Sequence, residues 1–134
     1  MGMHDQYGKK LMKQINGFRD SGDTTIIGIG GKSYARIDGT IRNQVAVEIE
    51  SRVFKQIRGA ILDLLLHECP KKLLILLPVH MSNPFETSEK CRLIMSKFLD
   101  VKDFQVLLLE GTGLNPQEVK DLELIRNSLN NLNI

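Results

Sequence analysis

The chain has 134 residues, 42% of them apolar, 25% charged and 5% aromatic, which suits one domain (1–134) with its own core and leaves little for a second module. Eighteen Lys and Arg stand against sixteen Asp and Glu, a formal net charge of +2. That excludes disorder by self-repulsion and a chain-wide cationic field, so any nucleic-acid surface has to be local. The charge is unevenly placed: residues 1–60 carry ten basic and six acidic side chains, residues 61–134 eight and ten.

Residues 1–19 are polar and interrupted, unlike a leader peptide, and the longest apolar stretch, near 73–79, is too short to span a bilayer. A soluble, cytoplasmic protein with no membrane association is expected. Cys69 and Cys91 lack any CxxC or zinc-finger spacing and read as buried, reduced thiols.

Leu11, Ile15 and Phe18 recur at helical spacing, which predicts an amphipathic helix over 5–19 stopped by Asp20-Ser21-Gly22-Asp23. Extended segments come next at 24–30, 33–41 and 45–50, separated by the short connections Gly30-Gly31-Lys32 and Arg42-Asn43-Gln44. From Val53 the period lengthens to that of a helix, with Val53, Ile57, Ala60, Ile61, Leu64 and Leu65 on one stripe, predicting a helix over 52–68. Residues 72–78 and 104–110 are continuous apolar runs of the kind that form strands buried on both faces. Asn83-Pro84-Phe85-Glu86 and Asn115-Pro116-Gln117-Glu118 each offer a capping Asn followed by Pro at the first helical position, predicting helices over 84–99 and 116–130. The order α-β-β-β-α-β-α-β-α is an α/β domain, a mixed central sheet flanked by helices. The Asn-rich end, 127–133, is expected to fray.

Chemistry concentrates in the second and third strands. If Arg42-Asn43-Gln44 is a three-residue loop, Ile41 pairs with Val45, Asp38 faces Glu48 and Arg36 faces Glu50. Arg36, Asp38, Glu48 and Glu50 then share one face, and Ile37, Val47 and Ile49 the other. Converging carboxylates repel unless a cation sits among them, and hard oxygen donors around one point suit Mg²⁺, at ~2.1 Å in a partly hydrated shell. Two plainer readings compete. Asp38-Gly39 is also a good type I′ turn, which would leave Asp38 without chemistry, and Glu48 and Glu50 could be a solvated strand face.

Asp38, the hairpin, and Glu48-Ile49-Glu50 after Val45-Ala46-Val47 resemble the motif of the PD-(D/E)XK nuclease superfamily, whose fold is restriction-endonuclease-like. The resemblance spans roughly 5–110, with the helix at 116–130 added. It implies that Asp38, Glu48 and the backbone carbonyl of Ile49 hold Mg²⁺, or Mn²⁺ as a substitute, with Glu50 in the place of the usual Lys. It also implies Mg²⁺-dependent hydrolysis of DNA phosphodiester bonds, of the restriction type or junction-resolving, by a homodimer that uses no nucleotide cofactor. Ile37 stands where the motif has Pro, and the absent Lys leaves open which group activates water.

Cations near such a metal would assist: Lys55 and Arg52 at the start of the following helix, Arg36 beside Asp38, and Lys32 in the preceding turn as further DNA contacts. Gln56 lies on the same helix face, and Gly59, costly in a helix interior, suggests a close approach of sheet backbone or ligand; a solvated helix edge is the alternative. A nuclease fold that has lost catalysis and binds nucleic acid or a protein partner is the competing functional expectation.

Gly28-Ile29-Gly30-Gly31-Lys32-Ser33 fails the P-loop spacing and reads as a tight turn. His67 and His80 have no second ligand at metal spacing. Val119, Leu122, Ile125, Leu129 and Leu132 form a stripe for packing on the sheet or for a dimer contact.

Overall fold

Strands of continuous apolar sequence belong at the centre of a sheet, and the computed structural model, which describes residues 2–134, places them there. The helices are α1 (Met3–Met12), α2 (Phe54–Leu66), α3 (Pro84–Met95) and α4 (Glu118–Asn131). The strands are β1 (Phe18–Arg19), β2 (Thr25–Ile27), β3 (Ser33–Arg36), β4 (Gly39–Ile41), β5 (Val45–Glu50), β6 (Lys71–Leu76) and β7 (Phe104–Leu108). Five of them form a mixed sheet in the order β1-β4-β5-β6-β7, antiparallel through β1-β4-β5 and parallel through β5-β6-β7. The chain is therefore α/β, with helices on both faces of its sheet.

Side-chain alternation along β5 and β6 divides the core. Val45, Val47, Ile49, Leu73, Ile75 and Leu77 meet α1 and α4 on one face, where Ile125, Leu129 and Leu132 of the C-terminal stripe are buried. Val119, at its start, is exposed, so the stripe serves packing from its second member onward. Ala46, Leu74 and Leu76 meet α2 and α3 on the other face, with Cys91 and Met95. Both cysteines are buried and unpaired, as their isolation in the sequence predicts. No helix among the described residues is long and apolar enough to cross a membrane.

Three departures from the sequence expectations have local causes. The first helix ends at Met12 rather than near 19: tighter turns follow, with the Gln14 N–H on the Leu11 carbonyl and the Ile15 N–H on that of Met12, and Gly17 at φ +87° turns Phe18 and Arg19 into the sheet edge beside β4. The segment expected as one strand over 33–41 is two: β3 pairs with β2 in a separate two-stranded sheet, while β4 joins the main sheet. The repeated Asn-Pro motif works once. Asn83 accepts the Glu86 N–H at 3.1 Å and caps α3, whereas α4 starts at Glu118, with Asn115 held in a turn against Thr112.

Candidate active site

The hairpin between β4 and β5 sets the register on which the site depends. Arg42 and Asn43 adopt left-handed conformations (φ 51° and 58°), Ile41 pairs with Val45, and Gly39 pairs with Val47. Asp38 is therefore the residue before β4, opposite Glu48, and the two-residue turn at Asp38-Gly39 is not the one formed.

Beyond Gly39 the regular ladder stops and side chains replace it. The Asp38 N–H donates to Glu48 Oε1 at 2.8 Å, and the Ile49 N–H donates to Asp38 Oδ2 at 2.7 Å. Each carboxyl uses one oxygen on the other strand's backbone, and the two carboxyls share a hydrogen bond with each other. Because the N–H and C=O of one strand residue share a direction, the Ile49 carbonyl faces the same edge as Asp38.

Glu48 is 8% exposed and Asp38 half-buried. Burial, then the charge of Asp38, push Glu48 up to about 9, with Asp63 on α2 adding to the rise. Burial also raises Asp38, opposed by the Ile49 N–H and by Lys9 on α1. The two carboxyls therefore resist ionising together, and a cation between them would remove that resistance.

Glu50 is 2% exposed and shares the Glu48 face, but it is turned to a different partner. Both of its oxygens accept from Arg52, from Nε and an Nη, each at 2.6 Å. The ion pair holds the Arg52 guanidinium more firmly charged. Arg52 thus lies in the connection before α2 and closes off Glu50 instead of standing free beside a metal.

The other predicted contacts scatter. Arg36 does not face Glu50. The chain bends at Ile37, whose side chain joins the α2 face of the core instead of the Val47 and Ile49 face, and Arg36 stays on β3 binding Thr24 Oγ1 and the Asp20 carbonyl. Lys32 is exposed in the turn between β2 and β3, where Gly30 and Gly31 take positive φ, a tight turn as expected. Lys55 and Gln56 are exposed on α2 and form no side-chain hydrogen bond or ion pair with the described residues. Gly59 marks no close approach, since a Cβ there would meet nothing within 4 Å. His67 is structural, its Nδ1 accepting the Cys69 N–H and its Nε2 donating to the Asp23 carbonyl.

Two residues that the sequence pattern did not single out adjoin the pair. Asp5 accepts the Ser51 hydroxyl at 2.9 Å, tying the first turn of α1 to the end of β5, and Lys9 lies one turn later on the same edge of the helix. No sequence signal marks them, since charged residues on an amphipathic helix read as solvated. A Cβ at Gly8 would lie 2.7 Å from Ile49 Cγ2, so glycine lets α1 settle on the residue that anchors Asp38.

The donor set suits a divalent cation held by two carboxylates better than one held by three. Asp38 and Glu48 engage each other and one backbone N–H apiece, an engagement a cation could replace, whereas Arg52 takes both oxygens of Glu50. No group of three His, Cys, Asp or Glu side chains able to hold a metal ion is gathered among the described residues. Mg²⁺ commonly binds through one or two carboxylates and keeps several waters, so two donors and a strand carbonyl match its habits. Comparison with protein-family models, with curated proteins and with solved structures finds no match to this chain.

Proposed function

We propose that the chain is a Mg²⁺-dependent nuclease of the restriction-endonuclease-like fold that hydrolyses DNA phosphodiester bonds. The observation that carries this reading is the interlock of Asp38 and Glu48 at the point where β4 stops. Two acids whose pKa values are both raised by burial face each other, each accepting a backbone N–H from the opposite strand and sharing a hydrogen bond, and the charge of Asp38 raises Glu48 further. The arrangement joins the two strands where the ladder ends, and a divalent cation between the carboxyls would relieve their resistance to ionising together.

Asp38, Glu48 and the Ile49 carbonyl would hold Mg²⁺, with Mn²⁺ as a substitute, and the ion when bound would supply Lewis-acid stabilisation and an acidified water. The protein's own part is orientation. The Ile49 N–H fixes the Asp38 carboxyl, and the Asp38 N–H fixes the buried Glu48. A second copy of the chain would bring a second site for the second strand of a duplex.

A catalytically silent nuclease-fold module that binds nucleic acid or a protein is the second reading, favoured by one observation. Glu50 stands where the family motif has Lys, and Arg52 occupies both its oxygens. Incubation of the purified protein with plasmid and branched DNA in Mg²⁺, Mn²⁺ or chelator separates the two. Cleavage that needs the metal and is lost in Glu48→Ala supports the nuclease. Binding without cleavage on any substrate supports the silent module, and cleavage undiminished by Glu48→Ala removes the proposed site.

A further inference from the structure

The outer surface of α1 carries a cationic groove beside the acid pair. Gln6, Lys9, Lys10 and Lys13 wall a depression of about 320 Å³ on this helix. The three ammonium groups are not equivalent. Lys10 faces α4 and pairs with Glu118 at 2.9 Å, whereas Lys9 and Lys13 form no ion pair among the described residues. Lys9 is half-buried and its charge reaches the Asp38 carboxyl, whereas Lys13 is exposed to solvent.

The position of the groove is fixed by packing. Gly8 brings α1 against the Ile49 side chain, and the Asp5 carboxylate takes the Ser51 hydroxyl, so the Asp5 and Lys9 edge of the helix lies over the end of β5. Lys9 is near enough for its charge to act on Asp38. Lys13, one turn further along, continues the cationic line away from the acids on an exposed surface.

We infer that Lys9 and Lys13 on α1 form a binding site for the phosphate backbone of a nucleic acid, delivering the strand to Asp38 and Glu48. The inference rests on the nuclease reading for the cleavage of the bound strand, but not for binding itself. Two ammonium groups one helical turn apart suit a polyanion, which each neutralises as a point charge. They would supply sequence-independent affinity and set the register of the strand.

The test is fluorescence anisotropy of a labelled duplex DNA in Ca²⁺ buffer over a series of NaCl concentrations. The parent is compared with Lys13→Gln, with Lys9→Gln/Lys13→Gln, and with a charge-matched control, Lys97→Gln/Lys102→Gln, at exposed lysines beyond α3. Each lost phosphate contact reduces the slope of log K against log salt by about 0.9, so the α1 pair should lose about 1.8 and the single variant about 0.9. The control should keep the parental slope.

Lys13→Gln guards against misfolding, since its side chain faces solvent, and thermal unfolding midpoints are recorded for every variant. If Lys9 is only a counter-ion for Asp38, the double variant changes stability but keeps the slope of Lys13→Gln, which overturns the inference. A parent that cleaves DNA while the α1 pair retains the parental slope also overturns it and leaves the nuclease reading standing. Loss of slope in a protein that never cleaves upholds the groove and removes the nuclease reading.

Discussion

Asp38 and Glu48 each hold the other strand in place, the Asp38 N–H on Glu48 Oε1 at 2.8 Å and Asp38 Oδ2 on the Ile49 N–H at 2.7 Å. This reciprocity substitutes for the ladder bonds missing beyond Gly39, and it confines two carboxyls to one poorly hydrated spot. Glu48 is held up to about 9 in the folded chain against 4.5 ordinarily, so between these values the folded state keeps a proton that the unfolded state has lost. Stability without a divalent cation is therefore greatest below about pH 4.5 as far as this group is concerned, and falls as pH rises toward 9. The slope approaches about 1.4 kcal/mol per pH unit. Glu48→Gln, which keeps the acceptor for the Asp38 N–H, should flatten the profile. Added Mg²⁺ should stabilise the parent most at the alkaline end and leave Glu48→Gln nearly unmoved. Denaturant unfolding in chelator and in Mg²⁺ across this range measures all of these outcomes.

The Glu50–Arg52 pair predicts a different behaviour. The carboxylate is buried while the Arg52 side chain is 61% exposed, so removing the arginine strands a charge that water reaches only in part. Solvent screening lowers the cost from that of a fully buried pair, and Arg52→Ala should destabilise the fold by about 1–2 kcal/mol. Glu50→Gln should relieve much of the penalty, so the double variant is more stable than the sum of the singles. A double-mutant cycle by urea unfolding checks the coupling. The same variants bear on function: if Arg52 silences the site by capping Glu50, Arg52→Ala should gain metal-dependent cleavage.

The register of the site was legible because loop chemistry and alternation agreed at one place. Arg42-Asn43-Gln44 closes a hairpin with Ile41 opposite Val45, and that pairing carries Asp38 to Glu48. What alternation could not foresee was the bend at Ile37, since a strand that changes sheets shows no break in its apolar pattern. For this reason Arg36 went to Thr24 and not to Glu50. The bidentate closure of Glu50 by Arg52 depends on the path of the Ser51–Val53 connection, which no periodicity encodes. Asp5 and Lys9 were hidden for another reason: on an amphipathic helix charged residues read as solvated, and only tertiary packing brings one edge of α1 to the site.

Gly8 and Gly59 sit in different helices and should respond in opposite directions to alanine. At Gly8 the new Cβ would lie 2.7 Å from Ile49 Cγ2, and Ile49 is 6% exposed with little room to yield. Overpacking at such a contact costs about 1–3 kcal/mol, more than the gain in helix propensity. At Gly59 a Cβ meets nothing within 4 Å, so Gly59→Ala should stabilise by roughly 0.5–1 kcal/mol. Thermal unfolding of the two variants would show the sign. If the chain cleaves DNA as proposed, Gly8→Ala should also weaken cleavage, because the displaced helix carries Asp5 and Lys9 away from the acid pair.

Asp121 gives the last prediction, because it is a fully buried carboxylate whose role is structural throughout. Its Oδ2 accepts the Tyr7 hydroxyl at 2.6 Å and the Gly111 N–H at 3.0 Å, and its Oδ1 accepts the Glu110 N–H at 2.8 Å. The Tyr7 hydroxyl in turn accepts the Gln117 N–H at 3.0 Å, so one cluster binds α1, the segment after β7 and the start of α4. Burial, followed by the hydrogen bond to Asp121, drives the Tyr7 phenol upward and keeps it protonated as the donor. Tyr7→Phe removes one bond to a charged acceptor and orphans the Gln117 N–H, a loss of about 1.5–3 kcal/mol. Asp121→Ala leaves the Glu110 and Gly111 N–H groups and the Tyr7 hydroxyl unanswered, and should cost more than Tyr7→Phe. Hydrogen exchange locates the effect: protection at Glu110, Gly111 and Gln117 should fall in both variants while the amides of β5 and β6 keep theirs. Equal loss of protection across the whole sheet would show that the cluster governs global folding instead of this one junction.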